Sequence, residues 1–291
     1  SGPRVAAIAL IRDLFSGRQM ARITSFVMTI FTLFPVIAPS LGAAIQWAFG
    51  WRAIFLSFAV FSIISMTWLM IRQPETLPPE KRRPFRAARL MAGLREVFAN
   101  RQVVLAICVQ TLIFGMLFSA LFSSHAVFAD IYDQSDNFPL WFGLMAAISA
   151  SSSLLNAMIV VRLGMRSVVK WSLFAQTLFT AVFFLTQMTV WRDAAPGFVM
   201  AFLWLTSVFF LAGLGMGNMN AIAMEPLGHI AGMAASVISA TATVASVVLA
   251  APIGQMWDGT MLPLTMSLLV LGAAGFLLTL FLTEGDGEIP D

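Results

Sequence analysis

The chain has 291 residues, of which 59% are apolar and only 11% charged, with a formal net charge of +3. A soluble domain carries about a quarter charged residues, so this composition leaves too little polar surface to face water, and lipid is the solvent that fits it. One cysteine, Cys108, and two histidines, His125 and His229, exclude an internal disulfide framework and argue against a multi-histidine metal centre.

Nine apolar segments follow one another, at about 2–15, 23–49, 53–71, 103–128, 140–161, 168–190, 197–224, 232–256 and 262–282. The first is short for a span, which needs about 20 residues. It reads as the tail of a longer helix with sequence missing ahead of Ser1, or alternatively as an interfacial helix. The other eight are long enough to cross. The second carries Pro35, Pro39 and Gly42, which would kink it and allow close approach of a neighbour. After the third comes the longest break, Arg72 to Arg101, with Pro74, Pro78, Pro79 and Pro84, an amphipathic stretch from Phe85 to Asn100, and eight basic residues. Such a loop can meet anionic lipid heads, or simply be a solvated linker. It divides the chain into residues 1–72, a linker 73–101, a six-segment half 102–283 and a tail 284–291.

The basic residues sit in short loops between apolar runs, which is the pattern of membrane topology and not of nucleic-acid binding. If the first segment exits to the cytoplasm, 14 of the 17 basic residues lie in cytoplasmic loops, among them Arg162, Arg166 and Lys170. The reverse orientation is disfavoured, and the C-terminus is therefore expected in the cytoplasm.

Polar groups inside spans are costly and often functional. Gln110, Thr111, Ser119 and Ser123 lie in the fourth segment, Asn156 in the fifth, and Asn218 and Asn220 in the seventh. Gln110, Phe114 and Phe118 are four apart and share a helix face. Gln110, Phe114, Phe118, Asn218 and Asn220 are the substrate-cavity candidates, since aromatic surface with a few amides suits an amphiphilic ligand. The competing role for each amide is to hold helices together. Glu225, before Pro226, reads as a gate or packing residue at the cytoplasmic mouth. His125 reads as structural, and Asp130, Asp133 and Asp136 as a solvated outer loop.

Several strings occur in a telling order: Arg12-Asp13-Leu14-Phe15, Pro35-Val36-Ile37-Ala38-Pro39-Ser40-Leu41-Gly42, Gly50-Trp51-Arg52-Ala53-Ile54-Phe55, Pro74-Glu75-Thr76-Leu77-Pro78-Pro79-Glu80, Gly217-Asn218, and Glu225-Pro226-Leu227-Gly228-His229-Ile230-Ala231-Gly232-Met233-Ala234-Ala235-Ser236. With six spans after a long basic loop, they resemble the Bcr/CflA-type drug:proton antiporters of the major facilitator superfamily, over nearly the whole chain. The resemblance implies an all-α polytopic membrane protein, a helical bundle with about nine of twelve transmembrane helices present, the first segment matching the family's fourth. It implies proton-coupled efflux of small organic molecules or drugs, with the proton gradient as energy source and no cofactor. A buried acid that takes part in proton coupling would then lie in the absent helices.

The resemblance also places Pro35, Pro39 and Gly42 at the family's antiporter motif, although Ala38-Pro39 stands where a Gly-Pro pair is usual. It makes Arg162-Leu163-Gly164-Met165-Arg166 the second-half copy of the basic loop motif, and Asp13 the partner of the absent first copy. The expected partners are the lipid bilayer, protons and a small-molecule substrate, with no nucleic acid and a monomer when full length. The expected location is a bacterial inner membrane. An enzyme is disfavoured because no cluster of His, Asp or Glu gathers on one face, and no phosphate-binding glycine loop occurs. The alternatives are a truncated, non-transporting copy, or an exporter of a metabolite such as an amino-acid derivative.

Overall fold

The computed structural model describes residues 44–73, 87–191 and 195–282, with scattered positions before residue 43; the side chains of 87–90, 229 and 231 lie outside that description. Among the described residues there are helices and no strands. They are α1 (Trp51–Arg72), α2 (Ala87–Ala99), α3 (Arg101–Ala126), α4 (Phe138–Leu163), α5 (Met165–Thr189), α6 (Phe198–Met224), α7 (Ala231–Gln255) and α8 (Leu262–Thr279). A π-helical turn, Val127–Ile131, prolongs α3, and a 3₁₀ turn, Glu225–Ile230, joins α6 to α7. All but α2 are long and apolar enough to cross a membrane. The last seven predicted segments therefore appear as helices with ends within a few residues of expectation. The segments 2–15 and 23–49 fall largely outside the described residues, though 44–49 is helical.

Local chemistry sets the boundaries. Asn100 caps α3, its side-chain oxygen accepting from the backbone N–H groups of Gln102 at 2.9 Å and Val103 at 3.3 Å. That one residue is all that separates α3 from α2. Gly164 has φ +77° and is the whole connection between α4 and α5. A side chain there would be strained in this left-handed backbone.

The chain forms two compact units: Ser1–Ala87 with Pro139–Leu144, and Ala88–Phe138 with the residues from Met145 onward. In the first, α1 buries none of its side chains. The second has α3 at its centre, packed against α6, α7 and α8, while α5 packs on α6 and α8. Trp204, Phe183, Ile113, Met116, Leu173 and Ile238 are fully buried there.

Pairwise contacts give the helix directions. Ser149 reaches Thr206, Ser152 lies against Gly213, and Asn156 bonds Asn218, so α4 and α6 run the same way. Gly115 faces Leu271 and Leu112 faces Gly275, so α3 and α8 run oppositely. Gly272 meets Thr177 and Gly275 meets Leu173, which sets α5 against α8. Gly115 faces Leu249 and Gly254 faces Phe122, so α7 follows α3. Directions thus alternate along the chain, as successive membrane crossings require. The Gly164 turn, the 225–230 turn and the α2–α3 junction share one end of this unit. The connections 132–137 and 256–261, with residues 190–191 and 195–197, share the other.

Candidate functional site

At the first of these ends, Arg166 in the first turn of α5 donates to Glu225 at the foot of α6, Nη2 to Oε2, at 2.5 Å. The two side chains are 24% and 41% exposed. Half-solvated pairs of this kind contribute about 0–1 kcal/mol. That is too little to hold a bundle together, and enough to bias an equilibrium between two states a few kcal/mol apart. Gly164 fixes how close the loop can bring Arg166. Arg162, in the last turn of α4, is exposed beside it. Sequence reasoning named Arg166 and Glu225 separately; the fold brings them together across 59 residues.

Inside the bundle, Phe114, Phe118 and Phe122 form a ladder on α3, with ring centroids 5.9 and 6.1 Å apart and nearly parallel planes. Exposure grows along it, from the half-buried Phe114 and Phe118 to the exposed Phe122. Gln110, one turn below, is only 3% exposed, and its Oε1 has no hydrogen-bond partner among the described residues. Asn220 Oδ1 is likewise buried without one. An ideal Cβ on Gly215 would stand 2.7 Å from Ile113 Cδ1. Because α3 and α6 are antiparallel, three residues before Ile113 and a few after Gly215 lie within about one turn along the axis. The two unmade acceptors therefore sit at a similar depth. An unpaired buried acceptor costs about 1–3 kcal/mol, which a ligand carrying N–H or O–H groups would recover.

Asn218 is differently engaged. Its Nδ2 donates to Asn156 Oδ1 at 2.7 Å and to the Leu214 carbonyl at 2.8 Å, while Asn156 Nδ2 returns a 3.4 Å bond to Asn218 Oδ1. This reciprocal amide pair ties α4 to α6. Asn218 and Asn220, two residues apart, thus have different surroundings.

Sequence reasoning missed a second buried network. Thr180 Oγ1 accepts from Gln176 Nε2 at 3.3 Å and from Trp204 Nε1 at 3.2 Å, and Gln187 Nε2 donates to Thr265 Oγ1 at 3.3 Å. The signal was present: three polar residues, 176, 180 and 187, recur at helical spacing in one apolar span.

The opposite end is tied by hydrogen bonds and ring contacts. Tyr132 Oη donates to the Pro196 carbonyl at 2.7 Å, and Trp257 Nε1 to Asp130 Oδ2 at 3.1 Å. Burial pushes the Tyr132 hydroxyl pKa up to about 12. Phe128 is ringed edge-on by Phe138, Phe198 and Phe202. His125 joins this cluster against Phe138, a packing role.

Of the other predicted residues, Asp13, Pro35 and Pro39 lie outside the described residues. Gly42 is helical, with open space where a side chain would be. Among the described residues no three His, Cys, Asp or Glu side chains gather as metal ligands. Two apolar depressions, about 320 Å³ beside Phe174, Thr177 and Phe276 and about 520 Å³ beside Phe179, Phe198 and Leu203, contain none of the candidate residues. Their linings suit lipid chains.

Residues 1–254 match the sequence profile of the Major Facilitator Superfamily. The chain is 24% identical over 98% of its length to the bicyclomycin resistance protein homolog of Haemophilus influenzae, covering 70% of that protein. It is 25% identical over 80% of its length to the uncharacterized MFS-type transporter YdgK of Bacillus subtilis, covering 58% of it. It is 25% identical, again over 80% of its length, to the multidrug resistance protein MdtL of Shewanella oneidensis, covering 57%. The chain thus spans between somewhat over half and seven tenths of the length of these relatives.

Proposed function

The chain belongs to the Major Facilitator Superfamily, and from that premise we propose that it serves a secondary active transporter that exports small organic molecules or drugs in exchange for protons. The carrying observation is the pairing of the Phe114–Phe118–Phe122 ladder with two unmade buried acceptors, Gln110 Oε1 and Asn220 Oδ1. An apolar face with a few hydrogen-bonding groups suits amphiphiles of varied shape. The names of the relatives, bicyclomycin and multidrug resistance proteins, point the same way.

In this reading residues 1–72 belong to the first half of a transporter, 73–101 link the halves, 102–283 form the second half and 284–291 a cytoplasmic tail. The end carrying Arg162, Arg166 and Glu225 faces the cytoplasm of a bacterial inner membrane, and the Arg166–Glu225 pair closes it in one state only. Pro35, Pro39 and Gly42 serve as the antiporter motif of the first half, and Asp13 as the partner of a basic loop motif, as the resemblance implies. The work is transport and not catalysis, it draws on the proton gradient without a cofactor, and the full-length protein acts as a monomer.

The test is accumulation of apolar dyes in cells lacking their own exporters. Together with the spans that the resemblance sets ahead of it, the chain lowers accumulation, and a protonophore abolishes the effect. Unchanged accumulation, or efflux indifferent to the protonophore, overturns the reading. A second reading, a copy that does not transport by itself, is favoured by the coverage of 57% to 70% of the relatives. On that reading the 291 residues expressed alone leave accumulation unchanged, and efflux by them alone overturns it.

A further inference from the structure

The linker helix α2 divides its surface three ways. Gly93 and Val97, one turn apart, are buried, and a side chain on Gly93 would collide with Met233 at the start of α7. This face is docked on the bundle. Met91 and Phe98, 67% and 46% exposed, lie seven residues apart and so on one face, with the half-buried Leu94 between them. That apolar strip is turned well over a quarter of a helix circumference from the docked one. Glu96 lies on the remaining side, roughly opposite the apolar strip at about 100° per residue.

A helix docked by one face, apolar on a second and charged on a third is built for a boundary between water and hydrocarbon. The position of α2 agrees. Asn100 alone joins it to the first residue of the membrane-crossing α3, and Met233 is at the first turn of the membrane-crossing α7. Arg95, on the edge of the apolar strip, and Arg101 are exposed, and Lys81, Arg82, Arg83, Arg86 and Arg89 precede them in sequence.

We propose that α2 lies in the headgroup layer of the bilayer, with Met91, Leu94 and Phe98 entering the lipid boundary and Arg95 and Arg101 binding anionic headgroups. The favoured occupant of the strip is lipid because the charge beside it is basic and the surface continues into two spans.

The full chain, with Cys108→Ser and a single cysteine at Met91, Phe98 or Glu96, is labelled with an environment-sensitive fluorophore. It is reconstituted in vesicles of phosphatidylcholine, with or without three tenths phosphatidylglycerol, carrying a lipid with a nitroxide just below the headgroup. Labels at 91 and 98 emit as in an apolar medium and are quenched, more strongly with phosphatidylglycerol, while the label at 96 stays aqueous. Arg95→Gln lowers the ratio of quenched to unquenched label about fivefold in the anionic vesicles. Aqueous emission at all three positions overturns the proposal. So does a label at 91 and 98 that is shielded from water yet not quenched by lipid, which marks a protein cover. Equal quenching in the two compositions overturns the assignment to anionic headgroups. None of these readouts depends on transport.

Discussion

Tyr132 is the chain's single tyrosine, so its ionisation can be followed by phenolate absorbance alone. With its pKa raised to about 12 by burial, the folded protein keeps the proton over a range where the unfolded chain, near 10, loses it. This contribution to stability is therefore complete below about pH 10 and is lost as pH rises towards 12. A folded-state phenolate midpoint near 10 would show that the hydroxyl is not desolvated at Pro196. Asn218→Ala leaves the Asn156 amide unpaired between α4 and α6, and is expected to destabilise by about 0.6–1.7 kcal/mol in detergent unfolding. A double-mutant cycle with Asn156→Ala should show coupling of that size, whereas additive losses would deny the pair. Both asparagines were conspicuous in the sequence as polar residues within apolar runs. Their pairing was not, because two neutral amides 62 residues apart carry no complementary signal. Arg166 and Glu225 were hidden for another reason: their charges are complementary, but 17 basic and 14 acidic residues offer many such combinations.

The helices themselves were legible because lipid demands about 20 apolar residues per crossing, and the runs end where Gly, Pro or charge intervenes. Which face of each helix meets protein was not. A helix in water shows its buried face by polar residues on the other; a helix in lipid is apolar all round, so packing must be read from small residues and rare amides. α4 and α6 illustrate this. Gly213 is where α6 touches Ser152, while Gly217, one turn on, has open space around it. Gly213→Leu should force the helices apart and cost about 1–3 kcal/mol in unfolding experiments, as overpacking does. Gly217→Leu should cost well under half as much. Equal effects at the two positions would mean that the α4–α6 contact is misplaced. A sequence reading treats these two glycines alike.

At the scale of the larger compact unit, the alternating helix directions put the Arg166–Glu225 ion pair at one end and the Tyr132 and Asp130 hydrogen bonds at the other. On the proposed reading, closure at the end carrying Arg166 and Glu225 depends on salt and on the sign of these two side chains. Spin labels at Leu163 and Gly228, both exposed, should report a broader separation in Arg166→Glu and in Glu225→Arg, and the original separation in the double reversal. An unchanged distribution in both single variants would show that the pair closes nothing. The π turn at the far end of α3 bears on the length of the chain. It holds one residue more than an α-helical path needs, rotating the residues beyond it by about 100°. At this turn the Asp130 carboxylate meets Trp257, and just after it Tyr132 meets the Pro196 carbonyl. A deletion within 127–131 would thus be absorbed as regular helix without breaking the span, but it would turn Asp130 and Tyr132 away from their partners. Relatives differing there by a single gap should keep the crossing and lose the clasp.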